Sequence, residues 1–182
     1  MANVKILLLR GVNVAGANRL PMAEFREMLA EFGLKNVDTH LQSGNAVFHD
    51  PGIEGLADKI GTAMLLRFGF KPALFILDLA AYRAVLAANP YKAAGTVDGT
   101  KVHIVFLAEP ATGSDLAGLR ATATEGEQVT LTEAALYLHT PNGYGRSVLA
   151  EKLPRFVKVM NTARNQRSAE SILALCMALP KD

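Results

Sequence analysis

The sequence has one cysteine and no long apolar run, and both shortages narrow the classes of protein that it can represent. The lone cysteine, Cys176, excludes an internal disulfide and is typical of a reducing compartment. No apolar run approaches the ~20 residues of a membrane-spanning helix. The N-terminus leads straight into an apolar strand pattern, without the features of a signal peptide. We therefore expect a cytoplasmic protein with no membrane partner.

A strong excess of charge is also missing. The formal net charge is +2 over 182 residues, which is too small to indicate nucleic-acid binding by itself. Half of the residues are hydrophobic and 20% are charged, so the chain is globular rather than disordered. The sequence has no HExxH motif, no paired cysteines and no histidines at metal-ligand spacing, so we expect no metal and no cofactor.

Short apolar runs and helical patterns follow one another in an order that occurs twice. Strands over 4–9, 37–41, 46–48 and 72–77, with helices from Pro21 to Gly33 and around 56–68, give the order β-α-β-β-α-β. The second set has strands over 102–108, 128–131, 134–139 and 156–160, a short helix around Leu116 and a helix over 147–153 ended by Pro154. We predict an α+β fold of two tandem ferredoxin-like (βαββαβ) halves.

The same patterns give the predicted domain limits. The first half covers residues 1–78, and the second half covers 101–182 with a C-terminal helix from about Ser168. Between them, residues 79–100 hold a linker helix followed by a loop from Ala94 to Thr100. Apolar residues occupy both faces of the central strands, so we expect the second face of each sheet to be covered by the other half or, in a homodimer, by a second copy.

The segment RGVNVAGANR, from Arg10 to Arg19, is the most informative loop because it joins a strand to a helix. Such a junction points backbone N–H groups at the space above the helix start, where an anion is favoured. Gly11 allows close approach of the backbone, Arg10 and Arg19 offer forked donors, and Asn13 and Asn18 offer amides. The alternative is that asparagine and glycine only shape turns while the arginines pair with acidic neighbours.

The predicted topology places a second turn beside this loop. In a split β-α-β unit the first connection and the central hairpin emerge at the same end of the sheet, so Gln42, Ser43 and Asn45 are predicted neighbours of the Arg10–Arg19 loop. In the second half we predict a second cationic site from the loops around 141–146 and 161–165. Its members are Asn142, Tyr144, Arg146, Arg164 and Asn165.

No constellation of residues indicates catalysis. Ser43 is a candidate nucleophile without an evident activating base, and His139 is the one histidine placed as a candidate acid or base beside a polar loop. Cys176 lies in an apolar helical run and is expected in the core. Tyr144, between two glycines, either stacks on a ligand ring or folds back on the protein. Whether the protein is an enzyme stays open.

Three segments carry a resemblance to a known family. LLRGVNVAGANRLPMAEFREMLAEFGLKNVDTHLQSGNAVF over 8–48, YLHTPNGYGRS over 137–147 and, faintly, residues 162–165 resemble the bacterial family of domain of unknown function 1697. The resemblance implies that the family pattern falls on these positions: Arg10, Gly11, Asn13, Gln42, Ser43, Gly44, Asn45, Pro141, Asn142, Gly143 and Arg146. Family members usually have an aromatic residue, asparagine and threonine after the final Arg-Asn pair, where this chain has Gln166-Arg167-Ser168. The resemblance implies no activity.

We therefore expect a protein that binds a small anionic molecule, such as a nucleotide or phosphate ester, at the Arg10–Arg19 loop and the Gln42–Asn45 hairpin. The first alternative is a nucleic-acid-binding module that uses the basic run Arg146–Arg167. The second is a protein interaction or assembly module with no ligand.

Overall fold

The computed structural model describes residues 3–14 and 16–180, which form a mixed α/β structure with two four-stranded antiparallel sheets, seven α-helices and one 3-10 helix. The first elements are β1 (Asn3–Leu9), α1 (Met22–Glu31), β2 (Lys35–His40), β3 (Asn45–Asp50), α2 (Leu56–Phe68) and β4 (Leu74–Asp78). Two helices follow, α3 (Leu79–Ala87) and α4 (Lys92–Val97). The remaining elements are β5 (Val102–Leu107), α5 (Leu116–Arg120), β6 (Gln128–Leu131), β7 (Ala135–His139), the 3-10 helix Tyr144–Arg146, α6 (Val148–Phe156), β8 (Asn161–Asn165) and α7 (Gln166–Ala178).

Both sheets have the same strand order. The first runs β2-β3-β1-β4 and the second runs β6-β7-β5-β8, and every pairing is antiparallel. In each sheet the strand that comes first along the chain lies between the third and the fourth. The carboxyl end of β1 therefore lies at the same end of its sheet as the turn between β2 and β3.

By contacts within the chain, the structure divides into two compact units. The first consists of Met1–Arg83 together with Ser171–Asp182, and the second is the continuous segment Ala84–Glu170. The boundary inside α7 assigns most of that helix to the first unit. The sequence pattern instead places the whole C-terminal segment with the second half, residues 101–182.

Each unit has its own apolar core on the helix-covered face of its sheet. The first core contains Leu7, Leu9 and Phe48 packed with α1 and α2, and the second contains Val105 and Leu136 packed with α5 and α6. The residues that alternate with them on the opposite faces are also buried, among them Ile6, Leu8, Ile104, Phe106 and Tyr137. Both faces of each sheet thus carry buried apolar residues, as the sequence predicts.

Three local predictions are wrong. The predicted loop over 94–100 contains part of α4, whose Gly95 packs against the buried amide of Gln166. Pro154 does not end the preceding helix, because α6 continues to Phe156 and the N–H of Val157 still donates to the carbonyl of Leu153.

The last strand also differs from the prediction. It is Asn161–Asn165 rather than 156–160, since the longer α6 moves the strand along the chain. Pairing with β5 then places the polar sequence NTARN in the sheet. None of the helices in the described ranges is both long enough and apolar enough to span a lipid bilayer.

Candidate functional site

The first loop, residues 10–21 between β1 and α1, contains a short hairpin closed by its own hydrogen bonds. The N–H of Asn13 donates to the carbonyl of Asn18 at 3.1 Å, and the N–H of Ala17 donates to the carbonyl of Val14 at 2.9 Å. At the neck, Nδ2 of Asn18 donates to the carbonyl of Gly11 at 2.9 Å. Asn13 (φ +52°) and Asn18 (φ +49°) adopt the left-handed region, which asparagine tolerates better than most residues.

Asn13 connects the first loop to the hairpin loop, residues 41–44 between β2 and β3. Its Nδ2 donates to the carbonyl of Gln42 at 2.6 Å and to the carbonyl of Leu20 at 3.0 Å, while its Oδ1 accepts from the N–H of Leu20 at 2.8 Å. A Cβ at Gly44 would lie 2.6 Å from Cγ2 of Val12, so the two loops are in close contact. The predicted proximity of these two segments is present.

The same bonds show which predicted ligand groups are already in use. Both Asn13 and Asn18 hold the first loop together, and Nδ2 of Asn45 donates to the carbonyl of His40 at 3.0 Å and to Oγ of Ser43 at 2.8 Å. Asn45 is fully buried, and Gln42 is exposed. The three asparagines therefore shape the loops, and their predicted role in ligand binding stays a prediction.

The two arginines of the first loop flank its neck. Arg10 precedes Gly11 and Arg19 follows Asn18, and those two inner residues are hydrogen-bonded to each other. Both arginines are exposed, and across residues 3–14 and 16–180 neither guanidinium has a hydrogen-bond or ion-pair partner. The expected alternative, pairing with acidic neighbours, is not observed. Two cationic groups are thus left free at one end of the first sheet.

Two exposed apolar side chains belong to the same two loops, and the sequence pattern indicates neither of them. Val14 is 61% exposed in the hairpin of the first loop, and Leu41 is 57% exposed beside Gln42, the residue that Asn13 contacts. Leu41 has φ +58°, an unfavourable conformation for a side chain of its size. Nothing in the sequence around Leu41 distinguishes it from an ordinary residue at a strand end.

The five residues of the predicted second cationic site do not form one surface. Side chains alternate across β8, so Ala163 and Asn165 face the α5–α6 core while Arg164 points to the opposite face. Arg164 is buried and donates to Oγ1 of Thr162 at 2.9 Å and to the carbonyl of Ala163 at 2.7 Å. Asn165 accepts from the N–H of Ser168 at 2.8 Å, near the start of α7.

The other three residues of that prediction lie around the 3-10 helix. Asn142 and Arg146 are exposed, but the ring of Tyr144 packs against the ring of His103 with 4.0 Å between centroids. Tyr144 therefore folds back on the protein, which was one of its two expected positions. His103 is only 9% exposed, and this burial lowers its pKa to about 4. Within the described part of the chain, its Nδ1 has no hydrogen-bond partner.

The basic run Arg146–Arg167 contributes less free charge than its sequence suggests. Arg164 is buried, Lys152 pairs with Glu151 at 3.2 Å, and Arg167 lies 3.7 Å from Asp98. Exposed basic side chains remain at Arg146, Arg155 and Lys158. The positively charged surface that is available for nucleic-acid binding is therefore smaller than the sequence indicates.

The side chains that were considered for catalysis do not form a cluster. Oγ of Ser43 accepts the bond from Asn45, and the ring of His139 lies 6.0 Å from that of Tyr91, in the second unit. Cys176 is buried as expected, and burial raises the pKa of its thiol to about 11. No three His, Cys, Asp or Glu side chains gather at a site that suits a metal ion in residues 3–14 and 16–180.

Comparisons with known proteins give a family and a fold. The model of a family described as "Protein of unknown function (DUF1697)" matches residues 2–137. A search of curated proteins finds no match. The chain is similar in structure to the conserved bacterial protein SP0830 from Streptococcus pneumoniae, with a TM-score of 0.71 and 24% sequence identity, covering 97% of this chain and 99% of that one. At this identity the similarity shows the shared fold alone.

Proposed function

Because the chain belongs to the DUF1697 family, whose description names no activity, we propose from the geometry of the first loop that the protein binds a small anion there. The observation that carries the proposal is the pair of exposed arginines at the neck of that loop. Among the described residues neither Arg10 nor Arg19 has a carboxylate partner. Nucleotides and phosphate esters are the class of ligand that this arrangement suits, since a guanidinium binds phosphate oxygens in a forked geometry.

The surroundings of the two arginines support binding of negative charge. Residues 10–21 and 41–44 contain no aspartate or glutamate, and the next acidic residue along the chain is Glu24, in the first turn of α1. Helix α1 follows the first loop directly and begins without a side-chain cap, so the N–H groups of its first turn add positive potential at the end of that loop. The hydrogen bonds of Asn13 hold the loop in place before the ligand arrives, which lowers the entropic cost of binding.

Calorimetric titration with inorganic phosphate and with a nucleoside triphosphate tests the proposal. Arg10→Ala and Arg19→Ala should each weaken binding by at least about tenfold, since a hydrogen bond to a charged group contributes about 1.5–3 kcal/mol. Arg155→Ala, which removes an exposed arginine from α6, is the matched control and should leave affinity unchanged. Equal losses in all three variants would mean general charge attraction and would refute a site at the first loop.

Two finer statements belong with this proposal. We infer that the two halves are ferredoxin-like units in tandem, which is supported by the identical strand orders of the two sheets and by the element order β-α-β-β-α-β in each. We also infer a cytoplasmic location, supported by a single cysteine whose thiol is buried rather than bridged. Expression with a fluorescent tag, followed by fractionation, tests the location.

A further inference from the structure

We propose that the end of the first unit that carries the first loop and the hairpin loop docks on the surface of an anionic lipid bilayer. The inference rests on the anion site proposed above and names the source of the anion as a lipid headgroup. The expectation of no membrane partner came from the lack of a spanning segment, and docking on a surface needs none.

The hairpin of the first loop has the composition that an interfacial segment requires. The described residues of its tip, Val14, Gly16 and Ala17, have no polar side chain. Where the chain is described, two backbone hydrogen bonds cross this hairpin, Asn13–Asn18 and Ala17–Val14, so these four N–H and C=O groups would enter the interface already paired. The side-chain amide of Asn13 is also saturated by its own contacts.

The two arginines of the first loop lie at the neck of the hairpin, behind its tip. Arg10 and Arg19 flank the neck, which is closed by the hydrogen bond from Asn18 to the carbonyl of Gly11, and Val12 and Asn13 lie between the neck and Val14. Interfacial segments bury their apolar side chains about 5–10 Å into the boundary between headgroups and acyl chains. With the arginines at the level of the lipid phosphates, Val14 would reach the boundary of the acyl chains.

The hairpin loop supplies a second apolar contact beside the first. Leu41 is exposed next to Gln42, whose carbonyl accepts from Asn13 at 2.6 Å, so the two apolar side chains belong to adjoining loops. The third loop at this end, residues 69–73, is joined to the first by a bond from the N–H of Arg10 to the carbonyl of Ala73.

The third loop adds no opposing charge at this end. It contains no acidic residue, and its Lys71 turns back along α2, where Nζ lies 4.0 Å from Asp58. Free charge in the three loops is thus only positive, and it is complementary to an anionic leaflet.

Other occupants fit this end less well. A small apolar ligand needs a concave pocket, whereas Val14 and Leu41 are more than half exposed on the loops themselves. A protein partner would need a larger apolar patch than two side chains provide. A lipid surface accepts isolated apolar tips flanked by arginines without any matching shape.

Co-sedimentation with vesicles tests the inference. The intact protein should bind vesicles of phosphatidylcholine mixed with phosphatidylserine, bind pure phosphatidylcholine far less, and lose binding as salt is raised. Leu41→Asn should reduce the partition coefficient by about tenfold, or about 1.4 kcal/mol. Asparagine accepts the left-handed backbone at this position, so the loop should keep its conformation.

The control is Leu66→Asn, because Leu66 is an 82% exposed leucine on α2, in the same unit. It should leave the partition coefficient unchanged. If Leu41→Asn also left it unchanged, binding would be electrostatic without apolar insertion, and the inference would be overturned.

A tryptophan placed in the loop measures insertion directly, because the chain contains no tryptophan of its own. Fluorescence of Val14→Trp should shift to the blue with anionic vesicles and be quenched by brominated lipid, whereas that of Leu66→Trp should do neither. An unshifted spectrum from Val14→Trp would overturn the inference even if the protein sedimented with vesicles.

Titration with inorganic phosphate separates this inference from the anion site on which it rests. Phosphate binding that depends on Arg10, without binding to vesicles, would overturn membrane docking and leave the small-anion function standing. Binding to neither phosphate nor vesicles would overturn both. Vesicle binding that requires Arg10, Arg19 and Leu41 would support both.

Discussion

Removal of the Asn13 side chain tests the structural basis of the candidate site. The amide makes three hydrogen bonds, two of them with the backbone of the buried Leu20 and one with the carbonyl of Gln42. A hydrogen bond contributes about 0.5–1.5 kcal/mol net, so Asn13→Gly, which keeps the backbone free to adopt φ +52°, should destabilise the protein by about 3 kcal/mol.

Two further substitutions separate the hydrogen bonds from the backbone conformation. Asn13→Ala should cost about 1 kcal/mol more than Asn13→Gly, because a Cβ without a compensating amide is strained at this φ. The matched control is Asn18→Gly, where the residue has a similar φ but its side-chain amide makes one bond, to the carbonyl of Gly11. That change should cost no more than about 1 kcal/mol.

Urea unfolding followed by circular dichroism gives these differences in free energy, provided that the m-value stays constant across the series. Hydrogen exchange of the Leu20 amide adds a local measurement, because its acceptor is Oδ1 of Asn13 and exchange should speed up when that acceptor is removed. If Asn13→Gly cost no more than Asn18→Gly, the idea that Asn13 holds the two loops together would be refuted.

Three other substitutions address close packing and a buried ionisable group. Gly44→Ala should cost at least about 2 kcal/mol because its Cβ would lie 2.6 Å from a side chain of the first loop, whereas Gly11→Ala, with the same φ of +70° but open space, should cost about 1 kcal/mol by thermal unfolding. Gly95→Ala would place a Cβ 1.9 Å from Oε1 of Gln166 and should cost about 1–3 kcal/mol; the cost should shrink in a Gln166→Ala background, and additive losses in a double-mutant cycle would contradict the contact. The pKa of His103 is about 6.5 in the unfolded chain and about 4 in the folded protein, so the free energy of unfolding should fall by up to about 3 kcal/mol as the pH drops from 6.5 to 4. His103→Phe should abolish that loss. If the free energy of unfolding did not change with pH over this range, the buried neutral ring would be contradicted.

The α+β class and most elements of the first unit follow from local patterns in the sequence. The apolar run before Arg10, the helical spacing after Pro21 and the stop at Gly33 predict β1 and α1 because burial and capping act over a few residues. The elements of the second unit are predicted less accurately. The apolar stretch over 156–160 suits a strand by propensity, but the pairing partners of β5 lie at Asn161–Asn165, which only the three-dimensional register determines.

The proximity of the two loops of the candidate site was predicted, but the hydrogen bonds of their side chains were not. The contact between the first loop and the hairpin loop follows from topology, since both leave the sheet at one end. The hydrogen bonds of the amides do not follow from the topology, because Asn13 and Asn45 bind backbone carbonyls that are brought near them only by folding. Likewise, the burial of Arg164 depends on which face of β8 it occupies. Because the sequence places this strand at 156–160, it does not predict which face Arg164 occupies.

The discontinuity of the first unit has a consequence for biosynthesis. The segment from Ser171 onward is made last, and it belongs by contact to the unit that is made first. Its buried Ile172 and Cys176 are absent while the nascent chain contains only the first sheet and its two helices. The second unit is continuous in sequence and has all of its residues before that segment emerges from the ribosome. The second unit can therefore finish folding before the first, and deletion of the chain after Glu170 should damage the first unit more than the second.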